Sequence, residues 1–63
     1  MVKIVYRDQE WEIKGGMTVR DAILKVGLNV EAVLALRKGK LIAEDTILRD
    51  GDEIELIAVA SAG

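Results

Sequence analysis

The periodicity of the chain turns from strand to helix between residues 14 and 19, and that change limits the possible folds more than any other feature. Residues 2–6, VKIVY, are rich in β-branched side chains and read as a strand. Residues 10–14, EWEIK, alternate cleanly, with Trp11 and Ile13 on one face and Glu10, Glu12 and Lys14 on the other. The short polar link RDQ makes the two runs an antiparallel hairpin, and Trp11 reads as core. The period then becomes helical. Val19, Ala22, Ile23 and Val26 recur at the spacing of one helix face. Thr18 is placed to cap that helix, and Asp21 comes close to completing a capping box. Gly27 suits the left-handed position after the last turn, with Leu28 supplying the hydrophobic contact that follows.

Downstream the signals return to strand. Residues 32–37, AVLALR, read as a strand, KGK as a tight turn and residues 41–43, LIA, as a short edge strand. EDTIL reads as a turn or a single 3₁₀ turn in which Ile47 or Leu48 plugs the core. RDGD needs a positive φ, which Gly51 supplies, and residues 53–59, EIELIAV, form the last strand. The order is β-β-α-β-β-β. A lone helix must then cover one face of a mixed four- to five-stranded sheet, an α+β architecture with the first and last strands central and parallel. Residues 1–59 are expected to form one domain, and residues 60–63 a flexible C-terminal tail.

With 63 residues the chain buries roughly 60% of its unfolded surface. It holds neither cysteine nor histidine, so the core must come from Val, Ile, Leu and Ala within the 51% hydrophobic content. The same absences remove Ser–His and Cys–His nucleophile pairs and the usual transition-metal ligands. Carboxylate pairs such as Glu44 with Asp45, or Glu53 with Glu55, fall in turns or on an outer sheet face and read as solvated charge. KGGMT places two glycines before a helix start but lacks the pattern of a phosphate loop, and reads as a strand-to-helix turn. The chain is therefore not expected to be an enzyme. A formal charge of −2, with no basic stripe, argues against nucleic acid as the main partner. No apolar run is long enough to span a bilayer and no signal-peptide pattern is present, so a cytoplasmic monomer without membrane attachment is expected.

The end of the chain carries the functional signal. Ile54 and Leu56 alternate with Glu53 and Glu55, but Leu56, Ile57, Ala58 and Val59 are then apolar in sequence. Ile57 and Val59 are thereby directed to the uncovered face, either as a partner surface or as part of a strand buried on both sides near its end. Ala60, Ser61, Ala62 and Gly63 follow with almost no side-chain volume. Five extended residues from Val59 reach roughly 16 Å. A thread of that kind can enter a narrow tunnel and deliver the Gly63 carboxylate to a remote active site. It can equally be a frayed end without a role.

These residues resemble a known family. LRDGDEIELIAVASAG is similar to the C-terminal half of the ThiS/MoaD sulfur carriers, which are β-grasp, ubiquitin-like proteins. GMTVRDAILKVGLNVEAVLALRKGKLI matches their layout from the helix cap to the third strand. The resemblance implies that an E1-like adenylyltransferase of the ThiF/MoeB type activates the Gly63 carboxylate with ATP and magnesium, the carrier itself binding no cofactor. It implies that a sulfur donor then yields a thiocarboxylate, whose sulfur passes to an acceptor such as thiazole synthase in thiamine biosynthesis. Molybdopterin synthesis and tRNA 2-thiolation are the alternative destinations. Under the resemblance Gly63 is the reactive residue and Ser61 the serine before the terminal pair. Ile57, Val59, Ala60, Ser61 and Ala62 fall on partner-facing positions. Ala62 departs from the family's glycine, and if the bound tail needs a positive φ there it costs about 1–2 kcal/mol. Two further readings remain open: a ubiquitin-like modifier that ends in an isopeptide bond, and a β-grasp interaction module that uses the Ile57 face alone.

Overall fold

The computed structural model describes residues 1–59. The elements are β1 (Val2–Tyr6), β2 (Gln9–Ile13), α1 (Val19–Lys25), a 3₁₀ turn (Val30–Ala32), β3 (Val33–Arg37), β4 (Lys40–Ile42) and β5 (Glu53–Ala58). They form one five-stranded sheet in the order β2-β1-β5-β3-β4, so the last strand is central. β1 and β5 are parallel, with Ile4 opposite Ile54, and every other pairing is antiparallel. This is the β-grasp arrangement, with α1 against one face.

Alternation decides which side chains enter the core. Val2 and Ile4 of β1, Ile13 of β2, Val33 and Ala35 of β3, and Ile54 and Leu56 of β5 meet Val19, Ala22 and Ile23 of α1. Leu48 fills the open end of this layer and is fully buried, whereas Ile47 is half exposed. The core plug in EDTIL is therefore Leu48. Trp11 stands opposite Ile4 on the outermost strand and packs against the core only partly buried, at its rim rather than inside it.

Both helix ends follow the sequence signals. Thr18 Oγ1 accepts from the Asp21 amide at 3.1 Å. The carbonyls of Thr46 and Glu44 take the amides of Val19 and Arg20, both at 2.9 Å. The 44–48 segment thus occupies the first-turn donors of α1, and the glycine pair before it is a strand-to-helix turn. At the other end Leu28 donates to the Ile23 carbonyl at 3.1 Å and Gly27 to that of Leu24 at 3.0 Å, with Gly27 at φ 86°. These two bonds make a Schellman cap.

Several boundaries differ from expectation. β2 begins at Gln9 because Tyr6 pairs with Gln9, leaving a two-residue loop in place of three. β3 begins at Val33 because Asn29 caps a 3₁₀ turn over 30–32. Lys38 and Gly39, both at positive φ, close the β3–β4 hairpin. That primed-turn geometry pairs Arg37 with Lys40 and starts β4 one residue early. Gly51 has the expected positive φ of 94°.

Candidate partner-binding face and the root of the tail

The face of the sheet turned away from α1 has no covering layer among the described residues. On β5 the outward positions are Glu53, Glu55 and Ile57, and Ile57 is 40% exposed, as the break in alternation implies. Directly opposite Ile57 lies Leu34 of β3, 43% exposed. Leu36, two residues along the same strand, stands opposite Glu55 on one side and Leu41 of β4 on the other. Leu41 is 62% exposed. The outer face therefore carries an apolar band of Leu34, Leu36, Leu41 and Ile57, to which Val5 of β1 is joined through Glu55. Glu10 and Glu12 of β2 with Glu53 and Glu55 of β5 lie beside it, with Lys3 of β1 between Glu12 and Glu53 and paired to Glu10 at 3.6 Å. A concavity of about 550 Å³, lined in part by Val5, Leu36, Glu53 and Glu55, lies within this face.

Leu34, Leu36 and Leu41 escaped the sequence reading. VLALR is apolar at four consecutive positions, which hides the period of two. Buried Val33 and Ala35 show that Leu34 and Leu36 point the other way.

The tail leaves from the end of β5. The last ladder pair is Val33 with Ala58, and the Val59 amide donates to the Ala32 carbonyl at 2.9 Å. Val59 is half-buried at that point, one residue past the strand. Ala60, Ser61, Ala62 and Gly63 lie outside the described residues.

The turn before β5 is fixed by charge and by close approach. Asp52 Oδ2 accepts from the Arg49 amide at 2.9 Å and from Arg37 Nη1 at 3.4 Å. Asp50 Oδ1 accepts from the Gly15 amide at 3.2 Å and pairs with the Met1 ammonium, also at 3.2 Å. The bond to the ammonium, that to Gly15 and the positive charge itself hold the Asp50 carboxyl below its ordinary range. Gly15 is packed so closely that a Cβ there would stand 2.7 Å from the Asp50 nitrogen. Among the described residues no three Asp or Glu are grouped to hold a metal ion, and no polar side chain is buried without a partner. No helix among them is long and apolar enough to cross a membrane.

Known proteins are similar to this chain in sequence and in shape. The model of the ThiS family matches residues 2–63. The sulfur carrier protein TtuB of Thermus thermophilus is 33% identical over 55 residues, which cover 87% of this chain and 85% of the relative. Among solved structures, SAMP1 from Haloferax volcanii superposes with a TM-score of 0.65 at 20% identity, covering 98% of each chain. The N-terminal ubiquitin-like domain of the 4931431F19Rik protein gives 0.70 at 19% identity, over 98% of this chain and 76% of that one. A ubiquitin-like protein from the archaeon Caldiarchaeum subterraneum gives 0.56 at 25% identity, over 97% of both. The first two structures speak for the fold alone.

Proposed function

Since this chain belongs to the ThiS family, we propose that it is a sulfur carrier whose working group is the Gly63 carboxylate. An E1-like adenylyltransferase binds the outer face around Ile57 and Leu34 and takes residues 60–63 into its active site. A carboxylate oxygen of Gly63 attacks the α-phosphorus of ATP, pyrophosphate leaves with magnesium, and an acyl-adenylate forms. Sulfide-level sulfur from a donor then attacks the acyl carbon and AMP departs, leaving the thiocarboxylate. The carrier passes that sulfur to an acceptor enzyme, thiazole synthase or the synthase of a related thiolation pathway, in the cytoplasm. No group on the chain other than this terminal carboxyl is suited to hold the sulfur, because the sequence has no cysteine.

The observation that carries the reading is that one central strand serves both parts of the task. β5 presents Ile57 on the open apolar face and, two residues later, is tied down at Val59 immediately before ASAG. The proposed binding surface and the residue that precedes the tail thereby lie two positions apart on one central strand and its end. Pyrophosphate exchange into ATP by the adenylyltransferase tests this. The exchange is expected to depend on the carrier and to disappear when Gly63 is deleted. Exchange that persists without Gly63 would refute the proposal.

A further inference from the structure

The Ala32 carbonyl is the last described backbone partner of β5, and it does not belong to a strand. It closes a 3₁₀ turn whose geometry is set by Asn29. The Asn29 side-chain Oδ1 accepts from the Glu31 amide at 2.9 Å, while the Asn29 carbonyl accepts from the Ala32 amide at 2.9 Å. Those two bonds hold the 3₁₀ turn up to the Ala32 amide, and the Ala32 carbonyl, in the next peptide group, takes the Val59 amide at 2.9 Å. The ladder continues inward as Val33 with Ala58 and Leu34 with Ile57. An exposed polar side chain 30 positions away in sequence is thus linked through the 3₁₀ turn to Val59, the residue before the tail.

We propose that Asn29 is a positioning residue for the root of the tail, acting through the 3₁₀ turn and Ala32 on Val59. This rests on the carrier reading, since only a tail that must reach an active site gains from a fixed root. Without the cap the 3₁₀ turn loses its side-chain acceptor for Glu31, and the Ala32 carbonyl is held toward Val59 less firmly, by the ladder alone. A loosened root must then be ordered again when the adenylyltransferase binds, which weakens binding and leaves the chemical step alone.

The test compares wild type, Asn29→Ala and Asn29→Asp in steady-state adenylation, together with amide hydrogen exchange at Val59. Asn29→Ala is expected to raise KM for the carrier about threefold to tenfold with kcat unchanged, the range a lost cap of this kind spans. Its Val59 amide exchanges faster while the β1–β5 amides keep their protection. Asn29→Asp retains the acceptor and restores both values. A core variant of similar stability, Ile13→Val, leaves KM unchanged. An adenylated wild type whose KM and Val59 exchange are matched by Asn29→Ala overturns this inference alone. A wild type that is never adenylated overturns the carrier reading, and the role of Asn29 with it.

Discussion

Leu34 and Ile57 face each other across β3 and β5 on the uncovered side of the sheet, each about two-fifths exposed although both lie in the best-paired part of the fold. Two large aliphatic side chains at adjoining central positions, with Leu36 and Glu55 as the next pair along the ladder, form an exposed apolar patch that is the proposed docking surface. Replacing Leu34 or Ile57 by Ser is expected to weaken binding to the adenylyltransferase by about tenfold, the scale of a central contact residue. The thermal midpoint should move little, because neither side chain is in the core. Calorimetric titration alongside thermal melting separates the two effects.

Gly15 and Asp50 are brought together over 35 positions by a contact with no room for a side chain. Gly15→Ala puts a methyl carbon against backbone, and is expected to cost about 1–3 kcal/mol through forced shifts. Gly39 differs, since a Cβ there meets nothing and the difficulty is its φ of 78°. Asn tolerates that conformation, so Gly39→Asn should be nearly neutral while Gly15→Asn is not. Urea denaturation of the pair distinguishes crowding from conformational strain.

Leu48 has no exposed surface and lies between the sheet and the start of α1, where its amide also bonds the Met17 carbonyl at 2.8 Å. Leu48→Ala should cost about 2–5 kcal/mol. A domain this small holds only about 5 kcal/mol in total at the low end of the usual range, so much of the variant is expected to be unfolded at 37 °C. Ile47→Ala, at an exposed position, is expected to melt close to wild type. Circular dichroism melts of the two variants give the comparison.

The hairpin and the helix with both of its ends were legible because each has a local cause, and the parallel pairing of first and last strands followed from the order of the elements. Alternation in EWEIK, the Thr18 cap and the Gly27–Leu28 stop all act within a few residues. The Ile57 face was legible for the same reason, since the alternation of EIEL stops at a definite point. What was hidden depended on distant partners. Gly15 looks like any turn glycine until Asp50 is seen beside it. Leu34 is masked by its apolar neighbours, and the NVEA stretch gave no sign that its Ala32 carbonyl would hold Val59.

Asp50 gives the pH dependence a sign. Its folded-state pKa is depressed, first by its bond to the Met1 ammonium, then by the Gly15 amide and by the positive charge nearby. A depressed carboxyl stabilises the fold at pH values above its unfolded pKa, and that contribution fades as pH falls through the folded value. Wild type should therefore lose stability on acidification below about pH 4, the ordinary carboxylate range. Asp50→Asn should lose less over the same interval and be slightly less stable at neutral pH. The effect is small, because the carboxylate is exposed. Melting temperatures measured from pH 7 down to acid for both proteins check the sign.

Ala62 occupies the position where the resemblance places a glycine, and its effect is separable from the rest. If the engaged tail needs a positive φ there, Ala62→Gly should speed activation by up to about tenfold without changing the melt of the domain.

The most direct test of the carrier reading is the intact mass of the chain after incubation with ATP, magnesium, sulfide and an E1-like adenylyltransferase from the same organism. The expected result is a gain equal to one oxygen replaced by one sulfur, localised by fragmentation to Gly63 and absent when ATP is omitted. A mass that stays unchanged in wild type and in Ala62→Gly alike would contradict it.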